Sequence, residues 1–150
     1  MEQKRKILPL GYWLSALVLM IVIHKWAPLG RYIQSPYHLV GVAVSAFGLA
    51  MTLVSAGAFR KAETGLLPFE PATTLITRGF YRYTRNPMYL GLVLALLGTS
   101  AILQTTGTLI PIVLFIWVIH GNFILGEERF MEAAFGEDYI AYKQNVRRWI

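Results

Sequence analysis

Residues 86–126 form a run of 41 residues without a single lysine, arginine, aspartate or glutamate. A stretch that long and uncharged identifies the solvent of the fold as hydrocarbon. It is also too long for one crossing, since at about 1.5 Å per residue a single helix would reach roughly 60 Å, twice the apolar thickness of a bilayer. Gln104, Thr105, Thr106 and Gly107 interrupt it near the middle. The run therefore reads as a helical hairpin, with one span over 88–103 and another over 108–126, where Pro111 is tolerated in the first turn.

Two further apolar stretches precede it, at 7–23 behind Lys4, Arg5 and Lys6, and at 39–59, where Gly41, Ser45 and Gly48 make one side suited to close helix contact. Composition agrees: 55% of residues are hydrophobic and 15% charged, with mean hydropathy +0.49, whereas a soluble domain carries about 25% charged residues. At 150 residues the chain is expected to be a single domain. The absence of cysteine excludes a disulfide framework, a thiolate nucleophile, an iron–sulfur cluster and a zinc–thiolate site. No metal site is expected.

The net charge of +6 could suggest nucleic acid, but the placement of the basic residues argues for membrane orientation. With both termini and the 60–85 loop on one side, twelve of the fourteen basic residues share that side, and only Lys25 and Arg31 face the other. The positive-inside rule then makes both termini cytoplasmic, in a bacterial-type inner membrane. The first span reads as a retained anchor, because Pro28 after Ala27 disfavours signal cleavage. The 60–85 loop, with Pro68, Pro71 and Gly79, should be irregular. Beyond Gly126 the chain turns amphipathic: Phe130, Ala133 and Ala134 can share a helical face, Gly136 is a C-cap, and Tyr139, Tyr142 and Val146 continue an apolar stripe. The expected fold is all-α and integral to the membrane: four transmembrane helices, a C-terminal helical hairpin and a cytosolic amphipathic tail.

Residues able to do chemistry gather at the cytoplasmic edge. One group runs from Tyr81 to Tyr89. Its structural reading is a helix start, with Asn86 as N-cap, Pro87 at the first position, and aromatics and arginines at the headgroups. Its functional reading is a seat for a carboxylate or phosphate, made by open N–H groups and Arg85. A second group is Glu127 and Glu128, either solvated where the fourth helix emerges or placed for a cation, since two acids at a helix C-terminus oppose its dipole. His120 precedes Glu127 by seven residues and should share its face, as a ligand contact or as a histidine bonded to a neighbouring helix. Adjacent helical residues diverge by about 100°, so the two glutamates should have different partners, with Arg82 or Arg129 as candidates for one. Arg5 and Arg148 are expected to be exposed interfacial charges. A ligand wanting an anion seat, acids and aromatics together is a zwitterion. S-adenosylmethionine fits, although the pattern alone does not select it.

The run Gly79-Phe80-Tyr81-Arg82-Tyr83-Thr84-Arg85-Asn86-Pro87-Met88-Tyr89-Leu90-Gly91, followed by Glu127-Glu128-Arg129-Phe130 and by Phe135-Gly136-Glu137-Asp138-Tyr139-Ile140-Ala141-Tyr142, resembles the isoprenylcysteine carboxyl methyltransferases and the related phospholipid methyltransferases. The similarity covers roughly 67–150. It implies a membrane methyltransferase that binds S-adenosylmethionine on its cytosolic side. It also implies that Arg85, Asn86, Pro87, Tyr89, Glu127 and Glu128 build the cofactor pocket, to which His120 is added, with Arg85 and Glu128 at the reaction. Eukaryotic members usually have His at the position of Asn86, and a basic residue at that of Asn145, for which Arg147 or Arg148 are the candidate replacements. The implied acceptor is lipophilic and enters from the bilayer: a prenylcysteine carboxylate, a phosphatidylethanolamine amine, or a small thiol or quinol-like lipid. Membrane lipids are the other expected partner, and nucleic acid is not one. The rival readings are an NADPH-dependent membrane reductase and a non-catalytic scaffold.

Overall fold

The computed structural model describes residues 8–63 and 73–150. Lys4, Arg5, Lys6, Pro68 and Pro71 lie outside them. Among the described residues every regular element is helical: α1 (Pro9–Trp26), α2 (Val40–Lys61), α3 (Pro87–Leu103), α4 (Leu109–Ile119), α5 (Leu125–Phe135) and α6 (Glu137–Asn145). A π-helical turn, His120–Ile124, joins α4 to α5 without a break. Among the described residues three helices are long and apolar enough to cross a membrane, Pro9–Trp26, Tyr37–Lys61 and Thr106–Phe135, and the apolar Pro87–Leu103 is shorter.

The closest packing is between α2 and α3, and glycine makes it. A Cβ on Gly41 would lie 2.4 Å from the Gly98 carbonyl oxygen, and one on Gly48 would lie 2.4 Å from that of Gly91. Lipid offers helices no hydrophobic drive to associate, so backbone proximity and polar contacts must hold them together. Two hydroxyls add to the seam: Ser45 Oγ donates to the Ala95 carbonyl and Thr52 Oγ1 to that of Met88, both at 3.1 Å. The small-residue side expected of α2 is this contact.

On its other flank α3 meets α1 and α4 through a core that includes Met20, Leu92, Leu96, Ile112, Phe115, Ile119 and Phe123. The shortest of the apolar helices is thus the central one, while α1 turns Leu10, Leu14, Val18 and Ile21 outward. At the end away from the clustered arginines and glutamates, Gln104 ends α3 in the left-handed region (φ +63°). There the 27–36 connector is bonded to the hairpin turn. Tyr32 N donates to the Gln104 carbonyl at 3.1 Å, Thr106 N to that of Gly30 at 3.0 Å, and the Tyr32 hydroxyl meets Ser100 Oγ at 2.8 Å. The hairpin turn lies where the sequence places it.

Three expectations need correction. The fourth helix does not stop at Gly126 but continues to Phe135, because glutamate, arginine, methionine and alanine all propagate a helix well. Glu127 and Glu128 therefore lie in its body, and the argument from acids at a helix C-terminus does not apply. The helix ends where Gly136 (φ +52°) allows it to, but Ala133 and Ala134 are exposed and form no buried face with Phe130. Finally, the π turn inserts one residue into the register, worth roughly 100° of rotation, so the shared face expected for His120 and Glu127 on an unbroken α-helix is lost.

Candidate functional site

A 3₁₀ turn, Gly79–Arg82, delivers the chain to the start of α3. Asn86 occupies the N-cap position and Pro87 the first helical one, as the sequence suggests, but the Asn86 side chain makes no cap bond. Its amide donates instead to the Arg148 carbonyl at 3.0 Å. Buried Thr84 donates to that same carbonyl at 3.1 Å and accepts from Asn86 N at 3.2 Å. Arg85 N donates to the Arg147 carbonyl at 2.9 Å. The chain's last residues are thus laid across the entrance to α3 and held by their own backbone carbonyls. The Tyr142 hydroxyl adds a bond to the Tyr81 carbonyl at 2.7 Å, and Trp149 packs on the apolar core.

Above this strap lie the charged groups. Glu128, 6% exposed, faces two guanidinium groups. Arg148 binds it through both carboxylate oxygens, Nε to Oε1 at 2.8 Å and Nη2 to Oε2 at 2.7 Å. Arg85, on the other side, approaches Oε1 with Nη2 at 3.2 Å, and both partners of that pair are buried. The remaining Arg85 nitrogens, Nε and Nη1, are buried without a hydrogen-bond partner among the described residues. One carboxylate among two guanidiniums leaves one positive charge in excess, with its unsatisfied donors turned away from water. Leaving such donors unpaired costs about 1–3 kcal/mol each, so an acceptor brought by a ligand would be strongly favoured. The neighbouring Glu127 is held by a different group, since the Tyr89 hydroxyl donates to its Oε1 at 2.6 Å. The two glutamates diverge, as helical geometry requires.

Beside the ion pairs, burial pushes the Tyr139 hydroxyl up to about 12, and the negative charge of Glu128 adds to the effect, so this phenol stays neutral and acts as a wall. The hydrogen bond from Arg148 to Glu128 raises the Arg148 guanidinium further still and keeps it charged.

Of the residues singled out by sequence, Arg85, Asn86, Pro87, Tyr89, Glu127 and Glu128 come together here. His120 sits in the π turn, half-buried, with no hydrogen bond to the described residues. Arg82 is exposed, and Arg129 Nε is spent on the Leu125 carbonyl at 3.1 Å, so neither pairs with Glu127 or Glu128. Arg148, read from the sequence both as an exposed interfacial charge and as a candidate replacement for the family's basic residue, is the principal partner of Glu128. Asn145 is exposed and donates to the Ala141 carbonyl of its own helix at 2.8 Å, which leaves Arg148 as the tail arginine whose side chain binds within the site. The Thr84 contact was also not foreseen: its partner is a backbone carbonyl 64 residues away, which leaves no sequence signature.

Comparison with known proteins bears on what such a site serves. Residues 36–138 match the family model described as phospholipid methyltransferase. An uncharacterized protein of Haemophilus influenzae is 41% identical over 63 residues, 42% of this chain and all of that one. The protein-S-isoprenylcysteine O-methyltransferase A of Arabidopsis thaliana is 31% identical over 113 residues, 69% of this chain and 57% of that one. The protein-S-isoprenylcysteine O-methyltransferase of Schizosaccharomyces pombe is 32% identical over 72 residues, 48% of this chain and 30% of that one. The chain thus spans about a third to somewhat over half of these two methyltransferases' own lengths. No solved structure matches it.

Proposed function

The chain belongs to the phospholipid methyltransferase family, and on that premise we propose that it is an integral membrane enzyme that transfers a methyl group from S-adenosylmethionine to a lipophilic acceptor, most like the carboxylate of a prenylcysteine. Four spans, with both termini and the site on the cytoplasmic side, complete the reading.

The observation that carries it is the pairing of opposite charges at the start of α3. Arg85 presents two buried, unpartnered nitrogens, and Glu127 presents a carboxylate engaged by one hydroxyl. An anion seat beside a cation seat matches the carboxylate and ammonium of an amino-acid zwitterion. S-adenosylmethionine, when bound, supplies a methyl group on a sulfonium, which leaves as part of a neutral thioether when an acceptor's electron pair displaces it. The chain's residues then have to bind and orient, and holding reactants in register can itself supply several kcal/mol of the barrier. Arg85 holds the carboxylate, Glu127 the ammonium, and Asn86, Pro87 and Tyr89 form the floor. Glu128, neutralised by two arginines, holds Arg85 in place and is not free to exchange a proton. His120, about two turns nearer the bilayer interior than Glu127, lines the approach.

Titration calorimetry on protein purified in detergent tests this reading. S-adenosylhomocysteine should bind, NADPH should not, and Arg85→Ala and Glu127→Ala should each weaken binding about tenfold or more, the usual consequence of losing one charge-assisted hydrogen bond. Absence of S-adenosylhomocysteine binding by folded wild-type protein would overturn the methyltransferase reading. Wild-type affinity in both variants would place the pocket elsewhere.

A further inference from the structure

The unpartnered donors of Arg85 raise a question that the anion seat alone does not answer. A carboxylate lies 3.2 Å from Arg85 Nη2, and Arg–carboxylate pairs favour a two-bond fork. Glu128 nevertheless offers Arg85 one oxygen at the longer distance, and Arg85 Nε and Nη1 stay unbonded among the described residues. The reason is visible on the other side of the carboxylate, where Arg148 takes both oxygens at 2.8 and 2.7 Å. Glu128 is already in a fork, and it is the wrong one for Arg85.

Arg148 is also anchored independently of that pair. Its carbonyl accepts from Thr84 Oγ1 and from Asn86 Nδ2, at 3.1 and 3.0 Å. The preceding carbonyl accepts from Arg85 N at 2.9 Å. The backbone that carries the Arg148 guanidinium is therefore fixed to the same three residues, 84–86, whose side chains shape the seat, and Trp149 secures the following position against the core.

We propose that Arg148 is a positioning residue: by holding both oxygens of Glu128 it prevents Glu128 from closing a fork with Arg85, and so keeps the Arg85 donors open for an anionic group of the ligand. This rests on the methyltransferase reading for the ligand's identity, but not for the rearrangement itself. Without Arg148, Glu128 turns to Arg85, completes the fork, and the protein's own carboxylate occupies the place of the ligand's. The anionic group is a carboxylate, brought either by the cofactor or by the acceptor.

The prediction has a sign that a merely structural role would not produce. Arg148→Ala should bind S-adenosylhomocysteine roughly tenfold more weakly than wild type, the effect of losing a charge-assisted contact. Adding Glu128→Gln to it should restore most of the loss, because the competing carboxylate is gone. If Arg148 only holds the fold together, the double variant binds as weakly as Arg148→Ala or more so. Arg148→Lys, able to hold one oxygen at a time, should fall between, and it serves if the alanine variant does not fold. Two further ligands locate the carboxylate. Methylthioadenosine, which lacks one, should bind wild type and Arg148→Ala alike if the group is the cofactor's. If it is the acceptor's, binding of (dodecylthio)acetate should show the loss and the rescue, and S-adenosylhomocysteine should show neither.

A ligand-free measurement separates this idea from the methyltransferase reading. In protein labelled with ¹⁵N-arginine, the Arg85 Nε–H resonance should move to a hydrogen-bonded position in Arg148→Ala and return in the double variant. An unmoved resonance, or an additive loss of affinity, overturns the proposal. A moved resonance in protein that binds no S-adenosylhomocysteine upholds the positioning role and discards the cofactor.

Discussion

Gly48→Ala is the smallest change that should open the seam between α2 and α3. The added Cβ would meet the Gly91 carbonyl oxygen at 2.4 Å, the Ala95 nitrogen at 2.7 Å and the Leu94 Cβ at 2.9 Å. Two of the three obstacles are backbone atoms, so no side-chain rotation relieves them. A carbon–oxygen contact relaxes at about 3.3 Å, which requires the helices to part by roughly 1 Å. The Ser45 and Thr52 bonds, each 3.1 Å, would then be stretched beyond hydrogen-bonding range. Overpacking costs about 1–3 kcal/mol, and two interhelical bonds in a membrane add about 0.6 kcal/mol each. The total of about 2–4 kcal/mol corresponds to a melting point lower by roughly 5–15 °C in a chain of this size. Gly57, on the same helix, has nothing among the described residues within 4 Å of its would-be Cβ. Gly57→Ala should therefore stabilise, by about 0.5–1 kcal/mol at most, through backbone entropy. Thermal melting of both variants in one detergent, followed by circular dichroism, is the assay. If the Gly48 variant melts within a couple of degrees of the Gly57 variant, close approach of the backbones is not what holds α3 in place.

Other expectations are as direct. Tyr89→Phe removes the hydroxyl that orients Glu127 among the described residues, so S-adenosylhomocysteine binding by calorimetry should weaken, by less than the loss in Glu127→Ala, while methylthioadenosine, which has no ammonium, should be unaffected. Equal losses for both ligands would mean that Glu127 does not face an ammonium. Reporter fusions after Ile150 and near Arg78 should both signal cytoplasmic placement, as twelve of fourteen basic residues on that side require. An external signal from either would separate the site from a cytosolic cofactor.

Much of the scaffold was legible because membrane folds are governed by local composition. The uncharged run from Asn86 to Gly126 needs a turn, and Gln104 to Gly107 is the polar place to make one. The small residues Gly41, Ser45 and Gly48 recur at spacings that return to one helix face, which is where α3 packs. The stop at Gly136 was legible, but the unbroken continuation of the fourth helix past Gly126 was not. The first charges after Gly126 mark a change of solvent, and a change of solvent does not break a helix whose next residues favour it. The π turn at His120 escaped for a related reason: it alters register without altering composition, and periodicity over seven residues presupposes the regularity that it removes.

The site divides along the same line. Arg85, Tyr89 and Glu127 are legible because motif and topology bring two local segments together at one end of a hairpin. Arg148 is legible only as one of two candidate tail arginines, and its bond to Glu128 is not legible at all, because what places it is a backbone path: residues 147 and 148 offer carbonyls to Arg85, Thr84 and Asn86, and any residue type would offer the same. Yet that path decides the electrostatics. Without it, Arg85 and Glu128 alone would make a neutral, self-satisfied pair, as buried charges usually must. With it, the same carboxylate is shared by a second guanidinium, and Arg85 keeps a charge that nothing among the described residues fully neutralises. On the proposed reading, the capacity to bind an anion here follows from the count of two guanidiniums to one carboxylate, and the second guanidinium is Arg148.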